Sequence, residues 1–209
     1  MSKGLITPAL LDEAYTYPAY RALIDELQAE GKTTGDNHSE SYLHYTKMNV
    51  QRMKRLDRTT QLSEPLLQQL QQGGPDMIWL ILTEAWCGDA AQNIPPLVQM
   101  AEASQGRISV KLILRDEYPQ VMDEYLTKGG RSIPKLIALK ADTLEELGTW
   151  GPRPQPVQEM VQGHKENPTM DYPQFLEEVQ RWYAKDRTNS LQAEMLDLLK
   201  SWNAAPQHA

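Results

Sequence analysis

The chain has 209 residues, of which 40% are hydrophobic and 23% charged, an ordinary globular balance able to build one sizeable core. A net charge of −7 and a pI near 5.2 argue against nucleic acid or an anionic membrane as a general partner. A single cysteine excludes an intramolecular disulfide, and no stretch approaches the length of a membrane span.

In chain order, Leu5 to Leu11 is an apolar run too short for a signal-peptide core. Pro8 breaks it and Asp12 and Glu13 follow, so a cytoplasmic address is expected. Pro18 to Glu30 carries Leu23, Ile24 and Leu27 at helical spacing and stops at Gly31. After the polar turn 33–37, a longer helix is expected to run to about Arg58. Asn37 and Glu40 read as its capping pair, and Tyr42, Tyr45, Met48 or Asn49, Met53 and Leu56 as its apolar stripe. A third helix is expected from Ser63, an N-cap with Pro65 in the first turn, to Gly73-Gly74.

Residues 77–83, Met-Ile-Trp-Leu-Ile-Leu-Thr, follow Gly73-Gly74-Pro75 and read as a buried strand. Residues 88–104 read as a helix that Pro95 kinks, because proline removes one helical hydrogen bond and crowds the preceding turn. Ile108 to Leu114 alternates and then runs apolar, as a central strand does. Gly129-Gly130 reads as a helix stop and turn ahead of the segment Arg131 to Ile137, and Pro152 to Pro156 as the introduction to a further helix. Asp171 and Pro173 open a C-terminal helix bearing Phe175, Leu176, Val179, Trp182 and Tyr183. It is expected to break near Asn189-Ser190 and resume with Leu191, Met195, Leu198 and Trp202. These stripes are too apolar to stand free, so the flanks should pack on the middle of the chain as one domain.

Cys87 lies in the string Trp86-Cys87-Gly88-Asp89-Ala90, which resembles the thioredoxin active site WCGxC with Ala90 in place of the second cysteine. The resemblance extends to Pro95, eight positions after Cys87, where thioredoxins carry a helix-kinking proline. It also covers Ile133-Pro134, which matches a cis Ile-Pro step in that family. It implies an α/β thioredoxin-like fold, a central mixed sheet flanked by helices, over residues 77–164. Residues 1–76 and 165–209 would then be helical extensions. In the family the cis proline faces the active-site cysteine and helps dock extended peptides. Cys87 is therefore the expected catalytic residue, with Trp86, Gly88, Asp89, Ala90, Ile133 and Pro134 shaping its site. A second departure is Ile81, six residues before Cys87, where thioredoxins keep a buried carboxylate that serves the resolving thiol.

Disulfide reduction by thioredoxins needs one thiol to attack and a second to resolve the mixed disulfide. Cys87 alone would need an external thiol for the second step. At a helix N-terminus the orphan amides favour thiolate while Asp89 opposes it, so a modest downward shift of the thiol pKa is expected. The leading reading is monothiol redox chemistry with a protein or a low-molecular-weight thiol or disulfide as partner. The alternative is a redox-inactive thioredoxin-fold protein that docks a peptide or protein in the cis-proline groove. A third reading, a dimer linked through Cys87, requires an exposed sulfur.

Lys47, Lys54 and Arg58 share a helix face, and with Arg52 and Arg55 make a basic patch. That face is either an anion contact, for glutathione or an acidic partner, or a solvated surface. Tyr42 and Tyr45 read as core or groove aromatics. His38, His44, His164 and His208 lack metal-ligand spacing, so neither a metal nor a cofactor is expected. Glutaredoxin-like proteins usually carry their glycine pair after the proline. Here Gly129-Gly130 precedes it, which argues against glutathione and iron–sulfur roles. The sequence leaves the oligomeric state open.

Overall fold

The structure, a computed structural model, describes residues 4–204. At its centre is a four-stranded mixed sheet of β1 (Met77–Thr83), β2 (Ile108–Leu114), β3 (Lys135–Lys140) and β4 (Glu146–Trp150), in the order β2-β1-β3-β4. Strand β1 runs parallel to β2, with Met77 opposite Ile108, and antiparallel to β3, with Leu82 opposite Lys135. Strand β4 returns antiparallel to β3. Being central, β1 is covered on both faces, and its unbroken apolar sequence follows from that position.

Helices precede the sheet as α1 (Pro8–Glu13), α2 (Tyr17–Ala29), α3 (Glu40–Thr59) and α4 (Glu64–Gln71). A parallel strand pair cannot be joined by a tight turn, and α5 (Gly88–Ala103) makes the crossover from β1 to β2. Then α6 (Pro119–Glu124) leads to β3 and α7 (Gln155–Glu166) follows β4, completing a βαβαββα unit. Beyond it lie α8 (Tyr172–Asp186) and α9 (Asn189–Asn203). This is the thioredoxin-like α/β fold with helical extensions on both sides. Among the described residues no helix is long and apolar enough to cross a membrane.

Several local readings need correction. Pro8 starts α1 rather than breaking it; proline in a first turn gives up only an amide that has no helical partner, and Thr7 caps Leu10 at 3.2 Å. The N-cap of α3 is Ser39, not Asn37. Asn37 Oδ1 instead accepts the Ser39 amide at 3.0 Å, a local Asx turn outside the helix. Ser63 does stand at the N-cap of α4, but its hydroxyl makes no capping bond; its amide donates to Gln192 of α9 at 2.7 Å. Gly129-Gly130 is not a helix stop. Helix α6 ends earlier, and Thr127 and Gly130 close a separate tight bridge. The break between α8 and α9 falls at Arg187 and Thr188, both in left-handed backbone.

The flanks complete the core. Tyr15 pairs with Leu112 in both directions at 2.8 Å, covering the outer edge of β2. On β4's side, Trp202 of α9 meets Trp79 edge-on at 6.2 Å between ring centroids. Gly148 permits this approach, since a side-chain carbon there would lie 2.6 Å from Trp202 Nε1. A smaller cluster of Val157, Phe175, Val179 and Tyr183 joins α7 to α8.

Candidate functional site

Cys87 is the N-cap of α5, its amide bonded to the Glu84 carbonyl at 3.1 Å. Its sulfur accepts the Ala90 amide at 3.5 Å and donates to the Ile133 carbonyl at 3.3 Å. The Ile133–Pro134 bond is cis, and the hydrogen bond to Ile133 places the segment leading into β3 against the sulfur. Gly151, at φ +111°, backs that segment; a side-chain carbon there would collide with the Pro134 carbonyl. The sequence-derived set of Trp86, Cys87, Gly88, Asp89, Ala90, Ile133 and Pro134 is therefore brought together at one place.

The acidity of Cys87 runs opposite to expectation. Only 9% of the residue is exposed, and the thiol is pushed up to about 12. Burial is the largest cause and the Asp89 charge the next; the Ala90 amide and Arg153 act the other way. The helix N-terminus does present amides to sulfur, but desolvation under Ile133 outweighs them. A disulfide-linked dimer through Cys87 needs access that this burial does not provide.

Asp89 does more than sit in the field of α5. Its Oδ2 takes Arg153 Nε at 2.9 Å and Nη2 at 2.7 Å, while Oδ1 accepts the Tyr183 hydroxyl at 2.8 Å. Asn93 donates to the same hydroxyl at 3.1 Å. One carboxylate thus ties the start of α5 to the segment before α7 and to α8. Ala90 and Ile81 are both buried, Ile81 on β1. Trp86 stacks obliquely on Tyr42 at 4.9 Å, with the Arg115 guanidinium 4.7 Å from its ring centroid.

Cys87 lies on the wall of a cleft of about 980 Å³. Tyr42 and Tyr45 of α3 with Trp86 form one side, and Tyr172 and Phe175 of α8 the other. Among the described residues, Arg52, Arg115, Arg131, Arg153, Lys165 and Arg181 line it against two carboxylates, Asp89 and Glu177. In a chain of net charge −7 this is a marked segregation of positive charge. His44 and His164 also face the cleft; His208 lies outside the described residues.

The three basic residues singled out from sequence, Lys47, Lys54 and Arg58, are exposed and do not line this cleft. Thr46, Asn49, Val50, Met53 and Leu56 form the buried stripe of α3, and those cations fall outside it. Arg52 borders the stripe and is the α3 cation that reaches the site, donating to Asn49 Oδ1 at 2.7 Å.

Sequence reading missed Glu84, three residues before Cys87 and 0% exposed. Its Oε1 accepts the Asp116 amide at 2.9 Å. Burial pushes its carboxyl up to about 7, with the Asp116 charge adding, while the Thr34 hydroxyl, the Asp116 amide and Arg115 hold it partly down. No local signal marks it, because the loop at Thr34 that covers it comes from far upstream. A carboxyl raised on folding binds more protons folded than unfolded between its two pKa values. Stability should therefore be fullest below pH 4.5 as regards this group, and fall as pH rises from about 4.5 to about 7. Glu84→Gln should flatten that slope and stabilise the protein at pH 8 by about 2–3 kcal/mol, with little gain at pH 5. Urea unfolding at the two pH values checks this; an equal effect at both would remove the titration of Glu84 from the account.

A family model described as Thioredoxin matches residues 35–172. Among solved structures, a protein of unknown function from Pseudomonas aeruginosa is similar with a TM-score of 0.61 at 17% identity, over 93% of this chain and 98% of that one. An HIV epitope-scaffold is similar with a TM-score of 0.55 at 14% identity, over 89% of this chain and 98% of that one. At these identities the likeness is one of fold. No curated protein gives a match. The family match spans the Cys87 motif, the sheet and the Ile133–Pro134 step, and the chain belongs to the thioredoxin family.

Proposed function

We propose that this protein binds an extended, acidic peptide segment of a partner in the cleft beside Pro134, with Cys87 serving as a protonated thiol rather than a nucleophile. The observation that carries this is the Cys87 sulfur, buried and donating to Ile133, on the wall of a wide cationic and aromatic cleft. A thiol pushed up to about 12 holds almost no thiolate at neutral pH, which disfavours attack on a disulfide. The excess of positive charge and the aromatic walls suit an acidic chain with apolar side groups. In this reading residues 77–164 form the core that carries Cys87. The extensions 1–76 and 165–209 contribute the two side walls through α3 and α8.

Calorimetric titration with acidic and basic peptides of equal length and matched apolar content tests the proposal. Acidic peptides should bind at least about tenfold more tightly at low salt, with the preference shrinking as salt rises. Cys87→Ser should bind equally well. Indifference to peptide charge would sink the reading.

Monothiol redox chemistry is the second reading, favoured by one observation: Cys87 reaches the cleft wall and accepts the Ala90 amide, as a thiolate at a helix start would. It requires Ile133 to move off the sulfur and an external thiol to release the product. Under the binding reading the protein should not reduce insulin disulfides with dithiothreitol as donor beyond the reductant's own rate, whereas under the monothiol reading dithiothreitol is itself the external thiol and the rate should rise. Catalytic turnover above that background would favour the monothiol reading over the binding one.

A further inference from the structure

The cations of the cleft are not equivalent. Arg115 pairs with Asp116 at 2.8 Å, Arg131 with Asp123 at 2.6 Å and Arg153 with Asp89 at 2.7 Å. Arg181 pairs with Glu177 and Glu178 on its own helix. Arg52 has no carboxylate partner among the described residues and donates only to the neutral Asn49 side chain. Arg55, one turn along α3, is likewise without a carboxylate and reaches only Gln92 Oε1, at 3.4 Å. Two guanidinium groups three residues apart on one helix repel each other; burial and Arg55 hold the Arg52 pKa below its ordinary value, and the Asp89 charge, already paired with Arg153, offsets this only in part.

A third donor converges on them. Gln92 Nε2 donates to Gln180 Oε1 at 2.7 Å, which fixes the Gln180 amide with its nitrogen turned toward Gly88. A carbon placed on Gly88 would stand 3.2 Å from Gln180 Nε2 and 3.6 Å from Arg52 Nη1. The absence of a side chain at Gly88 keeps that position open, at the first residue of the sixteen-residue α5. A side pocket of about 300 Å³, lined by Arg52, Arg55, Gln92 and Gln180, adjoins the large cleft, which Gly88 lines, and shares Arg52 and Gln180 with it.

We propose that Arg52 and Gln180 form an oxyanion subsite at Gly88, flanked by Arg55 in the adjoining side pocket, which takes a side-chain carboxylate of the acidic peptide bound in the cleft. A planar guanidinium matches a carboxylate with two parallel hydrogen bonds, and the amides of α5's first turn add favourable potential. This deepens the binding reading above and rests on it.

The test is a titration of the full-length ¹⁵N-labelled protein, followed by NMR, with two probes: a tetraglutamate peptide blocked at both ends, and acetate. The peptide should shift the Gly88 and Asp89 amides and the Gln180 side-chain amide together. Arg52→Gln should weaken its binding roughly tenfold or more, Arg55→Gln less, and Lys54→Gln, an equal charge loss on the exposed side of α3, under about twofold. Acetate at high concentration should shift the same three groups in the wild type and not in Arg52→Gln. Arg52→Lys, which keeps the charge but loses the planar fork, serves if Arg52→Gln does not fold, and should be intermediate. A peptide that binds the cleft with Arg52→Gln no weaker than Lys54→Gln overturns the subsite and spares the binding reading. A peptide that does not bind, with acetate still shifting Gly88 and Gln180 through Arg52, overturns the peptide and keeps the subsite for a smaller carboxylate. Silence of all three groups toward both probes overturns the subsite.

Discussion

At pH 7, iodoacetamide should alkylate Cys87 about a thousandfold more slowly than it alkylates an unstructured cysteine. The thiol moves from an ordinary 9.0 to about 12, and each unit removes nine-tenths of the remaining thiolate. The rate should rise with pH well beyond the range in which a free cysteine has levelled off. Two substitutions separate the charge contribution from burial. Asp89→Ala removes the carboxylate that raises the thiol and releases Arg153, which lowers it, so alkylation should speed up. Arg153→Ala leaves Asp89 unopposed and should slow it further. Unfolding in urea should return the ordinary rate in all three proteins. A native rate equal to that of the free cysteine would show that the sulfur is solvated and would return the monothiol reading to first place.

Trp202→Ala should destabilise the protein by about 3–5 kcal/mol in urea unfolding, among the largest effects open to a single side chain. Trp202 is 2% exposed, meets Trp79 of the central strand and closes on the bare backbone of Gly148. Its removal leaves a cavity lined by rigid sheet that cannot collapse. Tyr172, 62% exposed on α8, is the matched control, and its alanine variant should lose under about 1 kcal/mol. A comparably small loss for Trp202 would mean that α9 is an appendage, and that the sheet is complete without it.

The sequence shows clearly whatever is decided locally. The apolar runs at 77–83 and 108–114 become β1 and β2 at the same residues, because both strands are buried by the sheet's own helices. Helix α5 begins at Gly88, one residue after the cysteine, as the motif implies. Strand β4, by contrast, is short and half-buried, and Gly148 interrupts any alternation. The site is legible in its residues and not in its electrostatics. Asp89 is visible as a charge near a thiol, but its partners Arg153 and Tyr183 stand 64 and 94 positions away. Glu84 looks like a polar strand end until Thr34 covers it. Among the α3 cations, periodicity alone does not separate Arg52 from Lys54, since the distinction depends on where α8 crosses.

The placement of Trp202 also bears on the order in which a ribosome could deliver this molecule. Strand β1 emerges early with Trp79 awaiting Trp202 of α9, and Gln61 and Ser63 wait for Gln192 from the same helix. Until α9 is out, the nascent chain carries Trp79 without its Trp202 partner and a helix α4 that lacks its neighbour on one side. Closure of that face therefore waits for α9, and a chaperone that held Trp79 on the emerging chain would compete directly with that helix.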